Sequence, residues 1–222
     1  MERIFAGEVY DIVAQPNSIV FSYCKESKED HVVVGYKMLS LDNNHITDVA
    51  KNIYQLSKFG SNYRSVAALC NNYVTARALV LPTTKVFLVE DDGSATLFDT
   101  DGSPIYKGDV IYRGNTPSDI AVYKNTIWAC YPKANVLLRF NLTTMREELR
   151  IGGSRSPFER PNDIFVDGDY AIISSTGSNK LIKVELSNYS VEDYKEFTEP
   201  VYGYVKLQSK EFVLMESGLY VL

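Results

Sequence analysis

A few short stretches of this chain carry side chains or backbone able to do chemistry. Arg160-Pro161-Asn162-Asp163 sets a guanidinium, an amide and a carboxylate within four residues, and Asp119 repeats the carboxylate after Pro117-Ser118. Such Asp and Asn side chains either bind a ligand or bond backbone N–H groups and fix a turn. The second reading is favoured, because the aspartate recurs with its flanking residues. Gly152-Gly153-Ser154-Arg155-Ser156 offers backbone N–H groups to an anion, or serves as a flexible link. His31 and His45 are the only histidines, and no His-x-His or His-Glu-x-x-His spacing predicts zinc. Gly-x-Ser-x-Gly, Walker and dinucleotide fingerprints are missing. Asp91-Asp92 and Asp99–Asp101 read as hairpin turns, since calcium-loop spacing fails. The expectation is no catalytic residue, no metal and no cofactor.

The elements that must position these residues come from a segment written twice. Pro117-Ser-Asp119-Ile120-Ala-Val122 returns as Pro161-Asn162-Asp163-Ile164-Phe-Val166, and Asn135 to Leu142 returns as Asn179 to Leu186. Both pairs are 44 residues apart, so no gap intervenes. A fixed period of this length marks a repeat architecture. Each copy reads as four short strands, with Lys124-Asn125 or Asp167-Gly168-Asp169 at the first turn. Four strands per repeat make the blade of a β-propeller. In such a fold the innermost strand of each blade lines an axial channel, and its flanking loops form the mouth. The channel-mouth candidates are therefore Asp119, Arg160, Asn162 and Asp163, with Tyr202 and Tyr204 at the matching place in the last blade.

The Pro-x-Asp-Ile opening and the Asn-x-x-x-Lys/Arg-x-x-Leu third strand resemble blades of the NHL and gluconolactonase-like propellers over residues 116–197. In the gluconolactonase-like enzymes Asn and Asp at the mouth hold a divalent cation, and Arg160-Pro-Asn-Asp163 is similar to one of their loops. The resemblance therefore implies an alternative, a divalent-metal-dependent lactonase-like hydrolase. The family's Glu-Gly-Pro-x-Trp-type motif is absent, since Glu8 is followed by Val9-Tyr10.

Composition limits the other classes. With 222 residues and 45% hydrophobic content the chain is long enough for one sizeable core, read as a single domain over 1–222. Net charge is −5 without a basic stripe, which argues against nucleic acid. No apolar run has membrane-spanning length and the N-terminus lacks signal-peptide character. Cys24, Cys70 and Cys130 form no framework and predict reduced thiols in a cytoplasmic setting. Trp128, whose counterpart is Ile172, is expected to pack between blades.

Blades are expected at 8–63, 64–115, 116–159, 160–198, and 199–222 with 1–7. Residues 45–65 are the least readable, and 52–57 fits a strand or a short helical turn. The last blade lacks a fourth strand, so residues 2–7 are predicted to pair with 218–222 and close the ring. Six blades is the alternative if 8–63 hides extra strands. Functionally the chain reads as a non-catalytic binding module for a protein, peptide or glycan at the channel mouth.

Overall fold

The computed structural model describes residues 1–222. The protein is an all-β, five-bladed β-propeller in which each blade is a sheet of four antiparallel strands. The N-terminal strand β1 (Glu2–Ala6) precedes blade 1, which holds β2 (Val9–Gln15), β3 (Ser18–Ser27), β4 (Val32–Ser40) and β5 (Ile46–Asp48). Two short helices follow, α1 (Lys51–Phe59) and α2 (Tyr63–Leu69). Blade 2 holds β6 (Arg77–Val80), β7 (Val86–Val89), β8 (Ser94–Phe98) and β9 (Pro104–Asp109). Blade 3 holds β10 (Asp119–Tyr123), β11 (Thr126–Tyr131), β12 (Val136–Asn141) and β13 (Glu147–Gly152). Blade 4 holds β14 (Pro161–Asp167), β15 (Tyr170–Ser175), β16 (Lys180–Glu185) and β17 (Val191–Glu196). Blade 5 holds β18 (Val201–Leu207), β19 (Lys210–Met215) and β20 (Gly218–Val221), with β1 as its outer strand.

The predicted end-to-end pairing is observed. Glu2 faces Val221, Arg3 faces Tyr220, Phe5 faces Leu219 and Ala6 faces Gly218, with a bulge between Arg3 and Phe5. Gly218 is required here. Its φ is 145°, and a Cβ would lie 2.1 Å from the Phe5 carbonyl oxygen. The Phe5 ring then meets Phe21 and Tyr23 edge-on, each at 5.2 Å between centroids.

The six-bladed alternative is excluded, because residues 8–63 contain one blade and helix rather than extra strands. Helix α1 buries Tyr54, Lys58 and Phe59, a helical spacing that lays one face on the sheet. It stops at Gly60, whose φ of 64° a glycine adopts at little cost. No side chain caps its N-terminus at Ala50, so the usual start signal was missing from the sequence. Blade 2 also differs from expectation at its end. Its fourth strand stops at Asp109, short of the blade boundary expected at 115, and 112–115 forms a separate tight turn.

The chain forms two compact units. The first comprises residues 1–109, 207–210 and 217–221. Its core sets Phe59, Val66 and Cys70 against Val86, Leu88 and Phe98 of blade 2. Tyr54 stacks on Tyr36 at 4.9 Å. The second comprises residues 110–206, 211–216 and 222. Here alternate residues of blades 3 and 4 interleave, with Trp128, Cys130 and Leu137 against Ile164, Ile173 and Ile182. Trp128 is fully buried, as its place between blades requires. Asn135 and Asn179, at the start of each third strand, adopt left-handed φ values of 52° and 56°. Asn tolerates that conformation better than most residues, which accounts for its recurrence. No helix is long and apolar enough to cross a membrane.

Candidate functional site

The candidate residues sit at the openings of β10, β14 and β18, all within the second unit. The Asp119 carboxylate accepts the backbone N–H of Ile164 at 3.0 Å. One blade on, Asp163 accepts the N–H of Tyr204 at 2.9 Å, with the Ser174 hydroxyl at 3.5 Å. The preceding residue bonds in the opposite sense. Ser118 donates its hydroxyl to the Asn162 carbonyl at 2.6 Å, and Asn162 donates its amide to the Tyr202 carbonyl at 2.8 Å. Each joint is thus a two-point clasp in which one side chain gives a hydrogen and the next takes one.

The two aspartates therefore hold equivalent places, but they bond the neighbouring blade's strand rather than their own entry turn. The reason is geometric. Ordinary ladder bonds stop at a blade's inner edge, which leaves the inner strand's backbone unpaired on that side. A buried N–H such as that of Tyr204 needs an acceptor, and a carboxylate from the next inner strand reaches it.

A third member of the set went unread in the sequence. Asp11 opens β2 opposite Ser22, as Asp119 lies opposite Cys130 and Asp163 opposite Ser174. The signal was present at a different spacing. Asp11-Ile12, Asn17-Ser18-Ile19 and Tyr23 match Asp119-Ile120, Asn125-Thr126-Ile127 and Tyr131 without a gap. Asp11 reaches side chains of α1 instead of a backbone N–H. It accepts from Lys58 Nζ and from the Tyr54 hydroxyl, each at 2.7 Å. Lys58 Nζ donates also to the Val74 carbonyl at 2.9 Å. Burial pulls the Lys58 pKa below the usual lysine value, and the Asp11 charge opposes that shift. In the other two blades the carboxylate is replaced. Arg77 opens β6 opposite Val89, and Gly203 precedes the clasped Tyr204.

The remaining candidates divide by exposure. Tyr204 is 2% exposed, and its ring packs edge-on against Phe165 at 5.5 Å. Tyr202 is 36% exposed, and Arg160 is exposed with φ at 53°. Both are held by their backbones, Tyr202 through its carbonyl on Asn162 and Arg160 through an N–H donated to the Asn135 side chain at 2.8 Å. Cys130 lies buried near both carboxylates. Burial first, then the charges of Asp119 and Asp163, push its thiol well above the usual range. His31 and His45 are exposed.

The mouth residues do not fit the cation of the gluconolactonase-like enzymes. Asp119 and Asp163 each commit a carboxylate oxygen to a backbone N–H, and no third acidic, His or Cys side chain joins them in a ligand group. A hard cation needs several converging oxygens.

No family model matches the sequence, and no curated protein matches it. Solved structures do match. The chain is similar to the computationally designed Ika8 protein with a TM-score of 0.53 at 9% identity, covering 96% of this chain and 70% of that one. The computationally designed Ika4 protein gives 0.51 at 10% identity, covering 66% and 88%. The RRP9 WD40 repeats give 0.53 at 10% identity, covering 67% of this chain and 51% of that one. Identities this low speak to fold alone, and they agree with a five-bladed propeller whose structural neighbours include WD40 repeats.

Proposed function

We propose that the protein is a non-catalytic interaction module, one propeller domain in the cytoplasm, that presents Arg160 and Tyr202 to a protein or peptide ligand at the channel mouth. One observation carries this reading. The clasps commit Asp119, Asn162 and Asp163 to holding inner strands together, while the Asn162 bond pins the backbone under Tyr202 and a separate bond to the Asn135 side chain pins that under Arg160. A fixed scaffold loses little conformational entropy when a ligand docks, and Arg and Tyr are the residue types that most often dominate such interfaces. The guanidinium and the phenol together suit an acidic, partly apolar segment. The motif resemblance to NHL blades supports the same use, since those motifs encode blade geometry rather than an active site.

The test is selection of a displayed peptide library on the immobilised protein, with the Arg160→Ala/Tyr202→Ala variant as counter-selection. Enriched acidic peptides that lose binding on the variant are the expected result. Peptides that bind both forms equally would move the site elsewhere. Turnover in a lactone panel with added calcium would replace the reading with the hydrolase alternative, and retention on a glycan array alone would change the ligand class.

A further inference from the structure

A second place in the molecule carries an inference of its own, independent of the mouth. In the second unit a cavity of about 450 Å³ opens between the 112–115 turn and the end of β13. Arg113 and Arg150 line it, with Tyr112, Asn115, Gly153 and Ser154, and no carboxylate is among its walls. We infer that this cavity binds the phosphoryl group of a small phosphate monoester or of a phosphorylated side chain.

The two guanidiniums are arranged around one tyrosine. Arg150 Nη1 donates to the Tyr112 hydroxyl at 2.7 Å, and the Arg113 guanidinium lies 5.3 Å from the centre of the same ring. Neither arginine takes part in a salt bridge. Two cations therefore share a polar cavity without a salt-bridged partner, Glu147 acting on Arg150 only from a distance, on a chain whose net charge is −5. Surface arginines placed only for solubility pair readily with the acidic residues around them. Here Arg150 is directed by its bond to the Tyr112 hydroxyl and Arg113 lies beside the same ring, which leaves most of their N–H groups for an acceptor.

The backbone is shaped for the same purpose. Tyr112 and Asn115 exchange both of their backbone hydrogen bonds at 2.9 Å, so Arg113 and Gly114 form a two-residue turn with φ at 48° and 75°. Asn and Gly are the residues that fit such a turn without strain. An arginine there is held in a left-handed conformation that it shares with turn residues such as Lys124 and Gln208, and the turn fixes its place on the cavity wall. On the facing wall Gly152 and Gly153 have φ of 100° and 114°. A Cβ on Gly152 would meet the Asn135 carbonyl oxygen at 2.4 Å, whereas one on Gly153 would point into open space. Gly153 thus leaves its side of the cavity clear, and Ser154 follows it there.

Phosphate is favoured over a carboxylate because two guanidinium forks match a dianion with three terminal oxygens. Ala134 and Val136 give an apolar strip beside the charged end, where the organic part of a monoester would rest. The volume lies in the range of small-ligand pockets.

The experiment is calorimetric titration with three probes: inorganic phosphate, O-phosphoserine, and an alanine-flanked phosphoserine hexapeptide. The proteins compared are the wild type, Arg113→Gln and Arg150→Gln. Both arginines are exposed, so the variants are expected to melt like the wild type. At least one probe should bind the wild type, and each substitution should weaken it about tenfold. Equal affinity for all three probes assigns the site to a small phosphate; preference for the hexapeptide assigns it to a phosphorylated partner. Tyr112→Phe should weaken phosphate less than either arginine change, since it frees Arg150 without removing it. The inference is overturned if no probe binds more tightly than about 1 mM. It is equally overturned if both arginine variants bind phosphate as the wild type does.

Discussion

Replacing Asp163 by alanine isolates one clasp. The substitution removes the acceptor for the Tyr204 N–H, at 2.9 Å, and a longer contact from the Ser174 hydroxyl. Tyr204 is 2% exposed, so its N–H has few other acceptors within reach, although Asp163 itself is half-buried. A buried donor left unpaired costs about 1–3 kcal/mol, and the charge on the acceptor argues for the middle of that range, about 2 kcal/mol. For a domain of this size that is a fall in melting temperature of about 4–8 °C. Asp163→Asn keeps an oxygen in the same place and loses only the charge, so it should fall by about half as much. Equilibrium unfolding in urea, followed by the single buried Trp128, reads both changes on one signal. An Asp163→Ala protein that unfolds with the wild-type midpoint would refute the clasp. Unchanged stability with loss of peptide binding would make Asp163 a ligand residue instead.

Three further outcomes follow from the packing. Lys58→Met breaks a buried pair with Asp11 and should destabilise the protein by about 3 kcal/mol, measured by urea unfolding. Because the folded-state pKa of Lys58 is lowered, the unfolded chain binds the extra proton between that value and the unfolded value near 10.4. The wild type should therefore gain stability from this group as pH rises through that window, up to about pH 10 where unfolded tyrosines ionise, and the variant should lose that gain. Parallel stability–pH curves would contradict the sign. Trp128 should emit at short wavelength and resist iodide quenching, and ready quenching would place it at the surface. Deleting residues 1–7 should lower the melting temperature and promote aggregation through the bare edge of β20, and a truncated chain that melts like the full one would show that β1 contributes nothing.

Much of the fold was legible because strands write their burial into alternate residues, and because blades 3 and 4 repeat without a gap. Pro-x-Asp-Ile and the paired Asn135 and Asn179 located the strands, and the spare N-terminal segment pointed to its partner. Helix α1 was not legible. It starts at Ala50 without a capping side chain, and its buried face mixes Tyr54, Lys58 and Phe59, so neither end nor face stood out. That insert lengthens blade 1 and hides Asp11 from a search at 44 residues. At the mouth, the sequence picked out Asp119 and Asp163 but assigned them local turn bonds, whereas their bonds run to strands 41 to 45 residues away. The cavity of Arg113 and Arg150 has no motif at all. A turn and a distant strand bring the two together around Tyr112 only in the folded chain.

The pairing of β1 with β20 also sets a timetable. A ribosome makes Glu2 long before Val221, and the two can meet only after Val221 has been made. At ~5–20 residues per second the first strand waits roughly 10–45 s for its partner. Blades 1 to 4 can form in that interval, each from residues close together in sequence, while the contact of highest sequence separation comes last. During the wait β1 is a nascent edge open to pairing with other chains. Glu2 and Arg3 lie on it, and charges at such positions discourage strand-to-strand association. The residues that seal the propeller are thus the ones that must stay unattached longest while it is built.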